Sequence, residues 1–233
     1  METIKRELFS LADKKRANNL AWFFKTGKGE YGEGDKFLGI KTPVLKEVVK
    51  KHFKETDLRG IEKLLADPFH EARSVAVGML VAKYERGVQK EKEGIYRFYL
   101  RHTARINNWD LVDLSAHKIV GDWLSNKKRT PLYRLAKSKI LWERRMSIIS
   151  TFAFVRKGDL NDAFAIAEIL LKDKEDLMHK AVGWVLRECG KKNKTRLLEF
   201  IKENGEKMPR TTLRYAIERF PEGERKKILQ TTK

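Results

Sequence analysis

The chain has 233 residues, and its 51 Lys and Arg against 32 Asp and Glu give a formal net charge of +19. Such a surplus favours a polyanionic partner, and because it makes the protein repel itself we expect a monomer. With 41% hydrophobic and 10% aromatic residues, the composition excludes a disordered basic tail. The lone cysteine, Cys189, excludes a disulfide framework and a cysteine-based zinc site, and is typical of a reducing compartment.

The first twenty residues have the pattern of an amphipathic helix, with Ile4, Leu8 and Leu11 at helical spacing. They lack the continuous apolar stretch of a signal peptide. No segment approaches the roughly 18 apolar residues that a membrane-spanning helix needs. We therefore expect a cytoplasmic protein without a membrane partner. A basic amphipathic helix lying on a membrane surface is the alternative.

A glycine segment follows at residues 26–35, with four glycines within residues 27–34. It differs from a phosphate-binding loop because no buried strand precedes it and two glutamates lie within it. The favoured interpretation is a flexible connector between helices. Contact of Lys28 and the glycine backbone with a nucleic-acid backbone is the other interpretation. Thr42-Pro43 then predicts the N-cap and first position of a helix.

From about residue 57 the hydrophobic spacing is helical, and short polar turns divide it into pairs. First helices are predicted near 57–66, 91–103, 131–138, 160–171 and 194–203. Second helices are predicted near 69–85, 109–124, 141–156, 174–190 and 210–220. Their spacing of roughly 32–40 residues is that of helical-hairpin repeats.

The pattern therefore predicts an all-α fold, a right-handed solenoid of HEAT-like antiparallel helical pairs with a concave basic groove. We expect residues 1–233 to form a single domain, in which residues 1–56 cap the array and residues 57–233 form about five pairs. An irregular helical bundle is the alternative.

A set of arginines recurs on the predicted second helices, and equivalent positions there would line one face of a solenoid. The members are Arg73, Arg145, Arg187 and Arg214. Their planar guanidinium groups suit a phosphate backbone, whereas the lysines of turns are typical of a solvated surface. Ion pairs with carboxylates of neighbouring helices are the alternative for each arginine.

The segment Asn107–Asp113 combines a helix start with an unusual acidic residue. An asparagine at 107 or 108 can cap the helix, and Trp109 and Asp113 share a face four residues apart. The expected core stripe consists of Val112, Ala116, Ile119 and Trp123. Asp113 therefore flanks the core, where a carboxylate would repel DNA unless it has a task. A structural ion pair is the alternative.

The remaining tryptophans divide into two groups. Trp123 and Trp142 are expected in the core, with Met146 packing beside Trp142. Trp184 and Arg187 lie three residues apart and share a helix face. Trp184 therefore has polar and basic neighbours, as Trp109 has. Cys189 is expected to be a small core residue rather than a nucleophile.

Four segments, in this order and spacing, resemble the AlkD family of alkylpurine DNA glycosylases, which are built from HEAT-like repeats. They are Phe37-Leu38-Gly39-Ile40-Lys41-Thr42-Pro43, Trp109-Asp110-Leu111-Val112-Asp113, Trp142-Glu143-Arg144-Arg145 and Gly183-Trp184-Val185-Leu186-Arg187-Glu188. The resemblance covers essentially the whole chain. It implies that Asp113 is the catalytic carboxylate and that Trp109 and Trp184 contact deoxyribose around the lesion. Arg145, rather than Arg144, matches the active-site arginine.

The resemblance also bears on DNA binding. Arg187 and Arg214 match positions that look like DNA-backbone contacts, beside Arg73 and Lys28 from the charge pattern. Phe23, with Trp22 beside it, stands where the family has a tyrosine near the lesion, so a hydroxyl is missing at that place.

The activity implied is that of a monofunctional DNA glycosylase acting in base excision repair. It would excise positively charged N3- and N7-alkylated purines, such as 3-methyladenine and 7-methylguanine, from alkylated double-stranded DNA without base flipping. No cofactor and no metal are expected, because the histidines lack metal-ligand spacing. The alternatives are a non-catalytic HEAT-like repeat protein that binds DNA or RNA, and a protein-interaction scaffold.

Overall fold

The structure, a computed structural model, describes residues 2–232, and these form helices with one isolated β-bridge between Lys36 and Phe69. The predicted all-α class is confirmed. Within this range, no helix combines the length and hydropathy that a bilayer-spanning segment requires. The chain separates into two compact units, the first ending at Ser115 and the second beginning at Ala116. The single domain of residues 1–233 stays a prediction.

The first unit consists of helices joined mainly by short turns. They are α1 (Glu2–Ser10), α2 (Lys14–Phe23), α3 (Thr42–His52), α4 (Leu58–Leu65), α5 (His70–Arg86), α6 (Gln89–Arg101), the short 3₁₀ helix Thr103–Arg105 and most of α7 (Trp109–Ala116). Helix α5 is the centre of this unit, because α3, α4 and α6 all pack against it. Its apolar residues are accordingly buried on several sides, unlike those of a surface helix with one apolar stripe.

The amphipathic N-terminal segment forms two helices rather than one. Ile4 and Leu8 are buried as expected, but Leu11 is exposed and lies beyond the end of α1. The break occurs because the Asp13 side chain accepts a hydrogen bond from the backbone N–H of Arg16 and so caps a new helix. Helix α3 similarly begins at Thr42, with Lys41 at the N-cap, one residue earlier than predicted.

The chain between the glycine segment and α3 is held by one buried carboxylate. Glu71, in the first turn of α5, accepts hydrogen bonds from the backbone N–H groups of Leu38, Gly39 and Ile40 at 2.9, 2.8 and 3.3 Å. Gly39 has φ +85°, and a Cβ there would lie 2.2 Å from the backbone oxygen of Asp13. Only glycine allows the two backbone segments to come this close. This explains the glycine at position 39 in one of the four segments that carry the family resemblance.

The second unit continues the series of helices. It contains the π-helical turn His117–Gly121, α8 (Asp122–Leu124), α9 (Thr130–Ala136), α10 (Leu141–Ser150), α11 (Phe152–Val155), α12 (Asn161–Leu170), α13 (Asp176–Lys192), α14 (Lys194–Asn204), the 3₁₀ helix Gly205–Lys207, α15 (Arg210–Ala216) and α16 (Glu222–Thr231). Helix α9 packs on α10, α12 on α13, and both α14 and α15 on α13. Helices are therefore present in the predicted segments, although the segments 109–124 and 141–156 are each divided and α16 was not predicted. The arrangement in about five pairs stays a prediction.

Helices α13 and α15 pack closely against each other in this unit. A Cβ added at Gly183 would lie 2.5 Å from the Cβ of Tyr215 and 2.6 Å from the backbone oxygen of Thr212. Gly183 thus lets the two helices approach at a distance that any larger residue would prevent. Trp123, Trp142, Met146 and Cys189 are buried, as predicted for core residues.

Candidate functional site

The N-terminus of α7 is anchored by a buried asparagine. The Asn108 side chain accepts a hydrogen bond from the Trp109 backbone N–H at 2.8 Å and donates one to Asp35 Oδ2 at 3.2 Å. Its own backbone oxygen accepts the Val112 N–H. Asn108 therefore bonds the first residue of the helix, and Asp35 is a partner that the sequence did not reveal. These bonds hold the backbone from which the Trp109 side chain projects.

Trp109 belongs to an aromatic cluster on the first unit. Its ring lies 5.3 Å from that of Phe24 with planes only 13° apart, and 6.1 Å from the ring of Phe23 at 71°. Phe24 also stacks on Phe37 at 5.0 Å. Phe23 is 56% exposed and the adjacent Trp22 is more so. The structure therefore brings together two of the predicted site residues, Trp109 and Phe23, at an accessible aromatic surface.

Asp113 lies one helical turn after Trp109 and is half-buried beside the expected core stripe, whose four residues are all buried. Behind it, the Tyr99 hydroxyl is fully enclosed and lies 2.7 Å from Ser115 Oγ. Burial raises the pKa of Tyr99 above its ordinary value against the effect of the Ser115 bond, and the negative charge of Asp113 adds to the rise. Tyr99 therefore stays protonated, and α7 carries a carboxylate on the face that Trp109 shares.

A buried charged cluster lies under this aromatic surface, and the sequence did not reveal it. His70 is 3% exposed, with Nε2 2.8 Å from Asp110 Oδ2 and Nδ1 3.3 Å from Asp35 Oδ2. Arg73 Nη2 donates to Asp35 Oδ1 at 2.6 Å. We call Asp35, His70, Arg73 and Asp110 the charged cluster. The three elements that supply it are the glycine segment, α5 and α7.

The protonation of the charged cluster follows from its contacts. Burial opposes a positive charge on His70, but the Asp110 carboxylate, together with the bond to Asp35, outweighs it and raises the pKa of His70 to about 9. For Asp35, burial alone would raise the pKa, whereas the bonds from His70, Arg73 and Asn108 lower it. At neutral pH the cluster therefore holds an imidazolium between two carboxylates.

The two carboxylates bind opposite nitrogens of the imidazole ring, so they do not converge on one point. Consistently, residues 2–232 contain no group of three or more His, Cys, Asp or Glu residues arranged to hold a metal ion.

Arg73 does not have the exposure that a DNA contact requires. The residue is 4% exposed, and besides Asp35 its guanidinium donates to the backbone oxygen of Asp67 at 3.0 Å. The structure thus corrects the predicted role of Arg73 as a phosphate contact and supports the alternative, a structural ion pair. Its position on a second helix faces the interior of the first unit, which the residue type alone did not indicate.

The glycine segment is internally bonded rather than a free connector. Glu30 Oε2 accepts the Gly27 N–H at 2.9 Å, and Glu33 Oε2 accepts the Gly29 N–H at 2.8 Å. These glutamates therefore occupy the amide donors that a phosphate cradle would use. Lys28 lies exposed between them. The segment ends at Asp35, which the charged cluster holds in place.

On the second unit, Trp184 lies on α13 and is half-buried against Phe152, with ring centroids 4.7 Å apart. These two rings line an open groove of about 540 Å³. The other lining residues are His117, Val155, Arg156, Glu188, Lys191 and Lys192. Trp184 is thus one wall of an aromatic groove with a mainly basic rim, a combination suited to a sugar–phosphate strand.

The two arginines of α10 are both engaged within the second unit. Arg144 makes a two-point contact with the Asp173 carboxylate, at 2.5 and 3.3 Å, and also donates to the backbone oxygens of Ser138 and Lys139. Arg145 is 5% exposed and donates to the Leu177 backbone oxygen at 2.7 Å. The choice of Arg145 over Arg144 for the active-site role stays a prediction.

The two later arginines differ in their surroundings. Arg187 is half-buried and pairs with Glu218 and Glu188. Arg214, on α15, is exposed and forms no ion pair with the residues that the structure describes. Arg214 is therefore the more available of the two for a phosphate group.

The fold and these surfaces define a helical-repeat protein with an accessible aromatic cluster and a strong positive charge. The chain belongs to the family of DNA alkylation repair enzymes, which it matches over residues 4–220. It therefore has a role in the repair of alkylated DNA, and DNA is its partner. The resemblance drawn from the four sequence segments is confirmed at the level of this family.

Comparison with solved structures shows the fold independently. The chain is similar to a predicted DNA alkylation repair enzyme from Enterococcus faecalis, with a TM-score of 0.68 at 18% sequence identity. The match covers 91% of this chain and 97% of the other. Among curated proteins, none matches the chain.

Proposed function

We propose that the protein is a monofunctional DNA glycosylase that releases N3- and N7-alkylated purines from double-stranded DNA and leaves an abasic site. The observation that carries the proposal is the placement of Asp113 one turn after Trp109 on α7, with the Trp109 ring in contact with the exposed ring of Phe23. We assign it to base excision repair in the cytoplasm, in contact with the nucleoid. The same resemblance supports excision without base flipping.

The proposed reaction requires an ionised carboxylate rather than a carboxylic acid whose pKa is raised. Alkylation at N3 or N7 gives the purine a positive charge, so the base leaves as a neutral molecule and the glycosidic bond is weakened. The sugar becomes oxocarbenium-like in the transition state, as in glycoside hydrolysis. An ionised Asp113 near the anomeric carbon would stabilise that charge and position the attacking water.

The aromatic residues supply the preference for a charged lesion. The faces of Trp109 and Trp184 attract a cationic nucleotide by about 0.5–2 kcal/mol each through the ring quadrupole. Arg145 is assigned to the electrostatics of the reaction, and Arg187, Arg214 and Lys28 to the phosphate backbone. No lysine is assigned as a Schiff-base nucleophile, so strand cleavage is not part of the proposal.

The test is release of methylated bases. Folded protein in excess over globally methylated duplex DNA should liberate 3-methyladenine or 7-methylguanine faster than the spontaneous rate. Release at the spontaneous rate would overturn the proposal. Asp113→Asn should lower the single-turnover rate about a hundredfold or more, as expected when a group that stabilises transition-state charge is lost. Glu47→Gln is the matched control, because it removes one negative charge from an exposed position on α3.

Base release by the wild-type protein separates this function from non-catalytic binding, and the affinity of Asp113→Asn for DNA checks that a lower rate does not come from weaker binding. Loss of a carboxylate near the phosphates should leave affinity unchanged or increase it. A wild-type protein that binds DNA but releases no base, together with an Asp113→Asn variant that binds equally well, is the result that non-catalytic binding predicts.

A further inference from the structure

We propose that His70 is a positioning residue for DNA: its imidazolium neutralises the charged cluster beneath Trp109 and so lets phosphates approach this face. The inference deepens the proposed function, on which it rests for the assumption that Trp109 meets DNA. It concerns the first unit alone. The family resemblance carried by residues 109–113 implies no role for His70.

His70 contacts both the aromatic ring that supports Trp109 and the start of α7. The His70 ring is 4.8 Å from the ring of Phe37 and 5.0 Å from that of Phe24, and Phe24 is also the ring on which Trp109 stacks. His70 Nε2 contacts Asp110, the residue directly after Trp109. His70 therefore touches the support of Trp109 through Phe24 and the start of α7 through Asp110. His70 is thus linked to Trp109 by an aromatic contact through Phe24 and by a polar contact through Asp110.

The net charge of the charged cluster depends on the proton of His70. Asp35 and Asp110 carry two negative charges, and Arg73 with a protonated His70 carries two positive charges, so the charged cluster is neutral. A neutral imidazole would leave one net negative charge there, next to an Asp110 side chain that is 28% exposed. Such a charge would repel the DNA phosphates that the surplus of +19 otherwise attracts.

The charged side chains that neighbour the cluster are already bonded to other groups. On α5, Glu71 is occupied by the N–H groups of Leu38, Gly39 and Ile40, and in the turn before α5, Asp67 is paired with Lys5 at 2.5 Å. From the start of α7, Asn108 contributes a neutral amide to Asp35. The imidazolium is therefore the group whose proton sets the net charge of the cluster.

Two variants separate charge from structure. His70→Gln keeps a hydrogen-bonding side chain but leaves the cluster with one net negative charge, whereas His70→Gln combined with Asp110→Asn restores neutrality without any imidazole. Affinity for an undamaged duplex, measured by fluorescence anisotropy at pH 7 and low salt, should weaken about fivefold in the single variant. It should return to within about twofold of wild type in the double variant, in which the charge is balanced again. A single variant that binds like wild type, or a double variant as weak as the single one, would overturn the inference.

If His70→Gln does not fold, the pH dependence of wild-type binding still tests the inference. Its affinity should fall between pH 7.5 and 9.5, with the His70 imidazole titrating in the same range by NMR and reaching half-protonation near the value of about 9. Affinity that stays constant while His70 titrates would contradict the inference. Because these measurements use undamaged DNA, they do not depend on turnover. Absence of base release by the wild-type protein would overturn the proposed glycosylase and leave the result for His70 standing.

Discussion

The ring of Trp109 lies almost parallel to the ring of Phe24, with centroids 5.3 Å apart and planes at 13°. Phe24 is buried, whereas Trp109 is half-buried. The inner ring is therefore a platform that holds the outer one in a single orientation at the surface. A residue outside the recognised segments thus controls the placement of a residue within them.

The platform predicts an effect of Phe24→Leu on the reaction. Loss of one aromatic pair, worth ~0.5–1.5 kcal/mol, should slow single-turnover base release by about two- to tenfold. Phe9→Leu is the control, because it makes the same substitution at a phenylalanine of the first unit whose ring has an edge contact with Phe69 instead. Equal rates for Phe24→Leu and wild type would show that the platform does not position Trp109.

The exposure of Arg214 predicts a direct phosphate contact. Arg214→Ala should reduce the slope of log affinity against log salt by about 0.9, the value for one phosphate contact on duplex DNA. Lys90→Ala removes one positive charge from an exposed position at the start of α6 and should leave the slope unchanged. The measurement is anisotropy titration at several salt concentrations. Identical slopes for the two variants would remove Arg214 from the DNA contacts.

The close packing at Gly183 predicts a loss of stability on adding one methyl group. In Gly183→Ala the new Cβ meets the backbone of Thr212 at 2.6 Å, so α13 and α15 must separate. The free energy of unfolding should fall by about 1–3 kcal/mol. Gly94→Ala, on α6, meets nothing within 4 Å and should instead raise it by ~0.5–1 kcal/mol. Urea unfolding of both variants checks the opposite signs.

The raised pKa of His70 predicts how stability depends on pH. Folding raises this pKa from 6.5 to about 9, so the folded state binds the proton more tightly. The stabilisation is fully present below about pH 6.5 and is lost as pH rises through about 9. Its size should be on the order of 3 kcal/mol, at about 1.4 kcal/mol per pKa unit.

Urea unfolding of wild type and His70→Gln between pH 6 and 10 measures this difference. The gap in the free energy of unfolding should narrow across that interval. A constant gap would mean that the proton on His70 does not contribute to stability.

The buried thiol of Cys189 predicts an inert cysteine. Burial raises its pKa to about 12, so the reactive thiolate is scarce at neutral pH. A thiol reagent should modify the native protein only at the rate of unfolding, and rapidly in denaturant. Fast modification of native protein would contradict the buried position.

Local signals were sufficient for most of the fold. Helix periodicity, prolines and turns predicted most of the helices, because hydrophobic spacing within one helix reflects the face that it buries. Helix α16 was missed for the same reason, since none of its residues is buried and its sequence lacks an apolar stripe. The break at Asp13 was also missed, because a cap is decided by one side chain within an otherwise continuous pattern.

The charged cluster lay beyond such signals. Asp35, His70 and Asp110 are widely separated along the chain and share no spacing that a motif could express. Sequence spacing also did not show which arginines are accessible. Arg73 and Arg214 were both predicted to be phosphate contacts on second helices, but Arg73 is buried against Asp35 and Arg214 is exposed.

By itself, then, the sequence determined the all-α class, the order of the helices and the segments that mark the family, because these depend on near neighbours in the chain. Only the tertiary structure decided which charges face each other. A carboxylate, an imidazole and a guanidinium acquire their charge states and roles from partners within about 3 Å, and those partners come from distant parts of the chain.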